Sequence, residues 1–242
     1  MSKEYWKPGN MLYPVPAVMV SCGREGETPN IITVAWAGTI CSDPAMVSIS
    51  IRKERFSHSI IRDTGEFVIN LVNKRLVRAT DYCGVKSGRD VDKFKETRLT
   101  PQASRYVKAP GVEESPVNIE CKVVEVKELG SHDMFIAKVM GVTIDNQYMD
   151  DRGKFNLNAS GLVSYSHGEY FELGKKLGSF GYSVKKPVKR QSDKKRTARR
   201  KKRETEHYHD RHAVVGQEHH WGTAGQEAGI FLCGRGYRDT GK

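Results

Sequence analysis

Apolar and polar residues alternate with a period of two along two neighbouring stretches of the chain. Ile32, Val34 and Trp36 stand between Thr33, Ala35 and Ala37, and after a Ser42-Asp43-Pro44 turn the run from Met46 to Ile51 repeats the pattern. Such alternation predicts strands with one face in a core. Ala17 to Cys22 and Glu66 to Val72 are short apolar runs bounded by turn residues. The longest strand signal is a pair. Val117 to Leu129 alternates through Ile119, Cys121 and Val123, then shifts phase to Val124 and Val126, as a bulge would. Asp133 to Ile144 answers it across Gly130-Ser131-His132, which predicts a long antiparallel hairpin. Helical patches are brief: Ser57 to Asp63, with Ser57 at the N-cap and a stop at Gly65, then Lys74 to Tyr82, then a turn or two from Asp90. Many strands with few, short helices point to a mainly β fold, a barrel with appended helices.

Charge changes this picture only locally. The chain has 242 residues and a net charge of +11. Twelve Lys or Arg and one acidic residue, Asp193, fall between Lys185 and Arg203, so the whole excess belongs to that run. The rest of the chain is balanced, and the overall basicity says nothing about a partner for the folded part. A run of this composition cannot bury enough apolar area to offset chain entropy. Residues 187–242 are therefore expected to form a disordered basic tail after a domain at 1–186. The tail's RTARRKKR stretch lacks interleaved aromatics, which makes it a solvated charge run with at most weak affinity for nucleic acid. Its histidines, from His207 to His220, have no fixed scaffold for a metal, and the C-G-R-G at Cys233 lacks the third glycine of a dinucleotide loop. Five cysteines without a C-x-x-C pair suit a reducing compartment, and no uncharged apolar run approaches the ~20 residues of a membrane span. A soluble, cytoplasmic protein is the expectation.

Candidate chemistry sits just past the second strand. Arg52, Arg55 and Ser57 fall together where a strand gives way to a helix start. Free N–H groups at a helix start favour an anion, and two guanidiniums add charge-assisted, bidentate bonds. A phosphate site on a β scaffold is one reading; a solvated Arg-x-x-Arg edge with a capping serine is the other.

The runs TVAWAGTICSDPAMVSISIRKERFSHSIIRDTGEFVINL, DYCGVKSGRDVDKFKETRLTP, ESPVNIECKVVEVKELGSHDMFIAKV and YSHGEYFELGKKLGSFGYSVKK follow one another in order. Together they closely resemble the flavin reductase-like family, especially its flavoredoxin-type members, over residues 10 to 186. The resemblance implies an FMN-binding split β-barrel, a homodimer with sites near the subunit interface, and reducing equivalents passed between a donor such as NAD(P)H and flavin or an electron-acceptor protein.

Carried over by position, Thr33, Val34, Ala35 and Trp36 resemble the strand that lines the isoalloxazine. Ser50, Arg52, Arg55 and Ser57 resemble the ribityl and phosphate segment. Cys83, Gly84, Ser87 and Gly88 resemble a loop that closes over the flavin, with Arg89 and Lys93 as further anion contacts. Tyr165, Ser166 and His167 resemble a late loop that reaches the flavin site or that of the dimer mate. Gly130-Ser131-His132 resembles a Gly-Asp-His element beside the nicotinamide, but Ser131 replaces the Asp and leaves pyridine-nucleotide use open. Each residue also has a plainer role: Trp36 as a core aromatic, His132 and His167 as turn residues, Cys83 as a small buried hydrophobe. No nucleophile or acid–base triad is expected, because a flavin carries the hard chemistry itself. The alternative function is a flavin- or nucleic-acid-binding module without turnover, localised by the basic tail.

Overall fold

The computed structural model describes residues 1–185, 199–203 and 205. Most of the basic run and the expected disordered tail, with its histidines and Cys233, lie outside the described residues. The chain divides into two compact units, residues 1–176 and 177–242.

The first unit is built on β1 (Val15–Pro16), β2 (Val18–Cys22), β3 (Asn30–Val34), β4 (Ala37–Ser42), β5 (Ala45–Arg52) and α1 (Phe56–Thr64). It continues with β6 (Glu66–Leu71), α2 (Val77–Val85), α3 (Lys93–Thr97), β7 (Pro101–Gln102) and β8 (Gly111–Val112). The long hairpin of β9 (Val117–Leu129) and β10 (His132–Ile144) follows, then β11 (Val163–Ser166) and β12 (Glu169–Glu172). In the second unit, Tyr182–Val184 form a 3-10 turn.

The main sheet is antiparallel, with order β3-β2-β6-β9-β10-β5-β4. Its two edge strands are consecutive in the chain. Only Ala35 and Trp36 separate β3 from β4, and Trp36 O already accepts from Ser50 N of β5 at 2.8 Å. The sheet therefore curls until its two edge strands adjoin at this bend, with no ladder between β3 and β4, so the barrel stays split along that seam.

Period-two alternation fills the interior. Val47, Ile49 and Ile51 of β5 join Val18, Val20, Ile32, Val34, Phe67, Ile69 and Phe135 in one apolar cluster, while Ser48, Ser50 and Arg52 turn the other way. Strand β2 is buried on both faces, since Ala17 and Met19 pack outward with Ile31, Cys83 and Phe94 into a second cluster under α2 and α3. Each large apolar side chain fully buried in this way contributes about 1.5–3 kcal/mol.

The β9–β10 hairpin forms as expected, with a two-residue turn, and His132 is already in the ladder opposite Leu129. Its register slips at Val124, where the hydrophobic phase shifts. Two expectations need correction. The segment after Trp36, which by its lack of alternation reads as a loop between two strands, is itself a strand, β4, largely exposed and therefore without a core-facing pattern. Helix α1 is capped two residues earlier than expected: its N-cap is Arg55, with no side-chain cap bond, and Ser57 lies buried in the first turn. Gly65 does end it, at φ 66°, with its N–H on Ile61 O at 2.9 Å.

Candidate functional site

Two adjoining cavities open beside the barrel seam. One, of 220 Å³, is lined by Thr33, Val34, Ala35 and Trp36, by Ser50 and Arg52 of β5, and by Arg55, Gly84 and His132. The other, of 160 Å³, is lined by Asn30, Glu54, Arg55, Ser57, Ser87, Gly88, Arg89 and Lys93 among others. Ile32 and Arg55 border both, so the pair forms one trough. Its first half has an apolar wall. Its second half is dense in hydrogen-bond donors and positive charge.

The donor-rich half is held together by contacts between distant segments. Asn30 Nδ2 donates to Ser57 Oγ at 2.7 Å, with both residues buried. Arg55 Nη2 donates to Gly84 O at 2.5 Å. Lys93, only 2% exposed, donates from Nζ to Ile31 O at 2.7 Å and Cys83 O at 2.8 Å. Burial pulls its ammonium down to about 8, and the nearby Arg55 charge works in the same direction. Among the described residues neither Arg55 nor Lys93 forms an ion pair with a carboxylate. Positive charge on a buried or half-buried group without a counter-ion is costly, and a bound anion relieves that cost. Arg89 stands at the rim, 5.5 Å over the Phe56 ring, with Nη1 on Glu54 O at 3.1 Å. Gly88 packs so closely that a Cβ there would meet Asn30 Oδ1 at 2.1 Å, so the 84–92 loop closes on the site only with glycine at this point.

At the other half, His132 enters from the start of β10 opposite Arg52, and its Nδ1 lies 2.9 Å from Ser131 Oγ. Arg52 is exposed, with Nη1 3.6 Å from Glu54. Thr33 Oγ1 donates to Thr80 O, which pins β3 against α2.

Most of the residues singled out in the sequence thus line one trough: Thr33 to Trp36, Ser50, Arg52, Arg55, Ser57, Gly84, Ser87, Gly88 and His132. Three do not. The Cys83 side chain is fully buried in the outer apolar cluster, where burial pushes its thiol up to about 11, and only its carbonyl approaches the site through Lys93. Tyr165 and His167 lie on the β11–β12 hairpin and reach Trp36 indirectly. Tyr13 is their intermediary, 4.8 Å from His167, 6.4 Å from Tyr165 and 6.1 Å from Trp36 between ring centres. Asn30 escaped the sequence reading, since an Asn before an apolar run reads as a turn residue; so did the depth at which Lys93 is buried.

Residues 10–174 match the family model described as "Flavin reductase like domain". The flavoredoxin of Desulfovibrio vulgaris (Miyazaki F) superposes with a TM-score of 0.71 at 32% identity, covering 76% of this chain and 100% of that one. Flavoredoxin from Methanosarcina acetivorans gives 0.68 at 24% identity, covering 76% and 100%, and its likeness is one of fold. An uncharacterized protein of Pyrococcus abyssi is 32% identical over 167 residues, 69% of this chain and 95% of its own length. The barrel is of the split type, like the split barrel domain of a protein from Shewanella frigidimarina NCIMB 400, which superposes with a TM-score of 0.63 at 24% identity, covering 70% of this chain and 86% of that one, a likeness of fold. With two thirds of its length matched in one continuous block, the chain belongs to the flavin reductase-like domain family.

Proposed function

We propose that the chain is an FMN-dependent oxidoreductase, passing reducing equivalents from a donor such as NAD(P)H to flavin or to an acceptor protein. The observation that carries this reading is the polarity of the trough: two cations without carboxylate partners beside the Asn30–Ser57 pair at one end, and an apolar wall at the other. FMN has the matching order of parts, a phosphate dianion, a polar ribityl chain and a flat ring. Arg55, Lys93, Ser57 and the N–H groups at the start of α1 would hold the phosphate. Ser50 and Thr33 offer hydroxyls for the ribityl chain, and the 33–36 segment backs the ring. When bound, the flavin supplies hydride acceptance at its N5 and one- or two-electron release. The chain's own part is to bind and orient it, and to tune it: Arg52 places positive charge on the ring wall, and charge of that sign favours the electron-rich reduced form.

His132 is the contact we assign to the nicotinamide. We place the flavin-binding domain in residues 1–186 and read the chain as a homodimer. The exposed apolar side chains Val124, Met140 and Val142 on the long hairpin support that assembly. Among the described residues no helix is long and apolar enough to cross a membrane.

Titration of the purified protein with FMN tests the reading. One FMN per chain, bound with a change in the visible spectrum, is expected; a protein that leaves added FMN unperturbed would overturn it. Oxidation of NADH and NADPH with bound FMN then separates a reductase from an electron carrier.

A further inference from the structure

The connection between β5 and α1, which carries Arg55, is fastened at both ends to Asp133 of β10. At its start, Arg52 is paired with His132 and Ile51 with Asp133 in the β5–β10 ladder. At its end, in the first turn of α1, His58 Nε2 lies 2.8 Å from Asp133 Oδ2. Both side chains are buried, Asp133 completely, and the imidazole stands edge-on to Phe135 at 5.3 Å. From within the connection, Lys53 Nζ approaches the other carboxylate oxygen at 3.4 Å and also pairs with Glu128 at 2.8 Å. Arg62, one turn further along α1, reaches Asp133 Oδ2 at 3.8 Å and Glu128 at 3.8 Å.

Burial by itself raises the Asp133 carboxyl, but the His58 bond and the Lys53 charge outweigh it and hold the group below its ordinary value, as an anion. Oδ1 has no hydrogen-bond partner. A buried carboxylate kept charged, with one oxygen held by an ion pair to Lys53 and no hydrogen bond, is an arrangement that costs stability unless its position serves something else. None of these groups lines the trough. What they share is the segment 52–58, and that segment delivers Arg55 and Ser57 to the donor-rich half.

We infer that Asp133, through His58 and Lys53, is the positioning anchor of the anion-binding connection, setting where Arg55 and the first N–H groups of α1 meet a ligand's phosphate. This rests on the flavin reading above and deepens it. The anchor's side-chain contacts act on the phosphate end through Arg55 and Ser57; at the ring end it adjoins only the backbone of Ile51, Arg52 and His132, and the 33–36 wall lies apart from it. Riboflavin, which shares the ring and ribityl chain but lacks the phosphate, is therefore the comparison ligand.

The test measures the dissociation constants of FMN and riboflavin for the wild type and for Asp133→Asn, His58→Ala, His58→Gln and Lys53→Met, with circular dichroism confirming that each is folded. In the wild type FMN binds more tightly than riboflavin. Asp133→Asn and His58→Ala are expected to reduce that preference about tenfold while riboflavin affinity stays within twofold. His58→Gln, whose amide can still donate to Asp133, restores most of it. Lys53→Met, a surface change that leaves the fold intact, lowers it by a smaller factor and provides the reading if the buried variants do not fold. A preference unchanged in the folded variants, or FMN and riboflavin weakened equally, overturns the inference and leaves a structural tie. Wild-type protein that binds neither ligand sinks the flavin reading instead.

Discussion

The barrel interior and the flank under α2 and α3 are both well buried, but they are built from different material. The interior cluster is aliphatic and aromatic apart from Cys22 and Cys121, with Ile49, Ile61, Phe67 and Phe135 at 0% exposure. The flank buries Lys93 and Thr80 as well, and ties itself to β3 through backbone carbonyls: Lys93 to Ile31 O and Cys83 O, Thr33 to Thr80 O. Hydrophobic burial is non-directional and stabilises whatever excludes water. Donors aimed at single carbonyls stabilise little net and are sensitive to position. The difference teaches a division of labour, in which the interior holds the fold and the flank gives up stability to keep positive charge beside a ligand.

Substitutions in the two regions should therefore fail in different ways. Phe67→Ala, which opens a cavity in the interior, is expected to lower unfolding free energy by about 3–5 kcal/mol. Urea denaturation measures this, and FMN affinity per folded molecule should be preserved. Arg55→Ala should do the reverse. FMN affinity falls by about tenfold to a hundredfold, the range of a lost charge-assisted contact, with little change in the urea midpoint. If Arg55→Ala unfolded the protein and left FMN binding intact, the division would be wrong.

The pH dependence of Lys93 sharpens the contrast, because its two consequences have opposite signs. Its folded value, about 8, lies below its ordinary 10.5. Between those values the unfolded chain holds a proton that the folded chain has released, so this group makes stability rise with pH across the window and contributes no slope below it. FMN affinity should fall over the same interval, as the charge facing the phosphate is lost. Urea midpoints and FMN titrations at pH 7 and pH 9 check both slopes, and both should flatten in Lys93→Met. A smaller effect is expected from Gly88→Ala, which pushes on Asn30 and on the Phe56 ring and should weaken FMN several-fold. Least of all, His132→Ala should raise the apparent KM for NADH or NADPH a few-fold and leave FMN affinity nearly unchanged.

What was legible in the sequence follows the same line. The barrel strands announce themselves because one face of each must be apolar, and even the slip at Val124 shows as a change of phase. Strand β4 does not, since little of it faces a core. Arg55 and Ser57 could be marked as neighbours, yet the serine was misplaced as a cap. Local sequence favours that role, while Asn30, 27 positions away, takes up its hydroxyl instead. The burial of Lys93 depends on carbonyls 10 and 62 positions distant, and the tie from His58 to Asp133 spans 75. Separations of that size leave no periodic trace. The resemblance to a family located the trough; its polar contacts belong to tertiary structure alone.

The two edge strands of the sheet join through Ala35 and Trp36, two residues that also line the cavity where a flat ring would rest. A ligand lying against that bend would brace the seam along which the barrel is split. Loading the protein should then slow amide hydrogen exchange at Ser50, whose N–H spans the junction to Trp36, far more than at the interior amides of β6. Cofactor retention and the cohesion of the cylinder would rise and fall as one property.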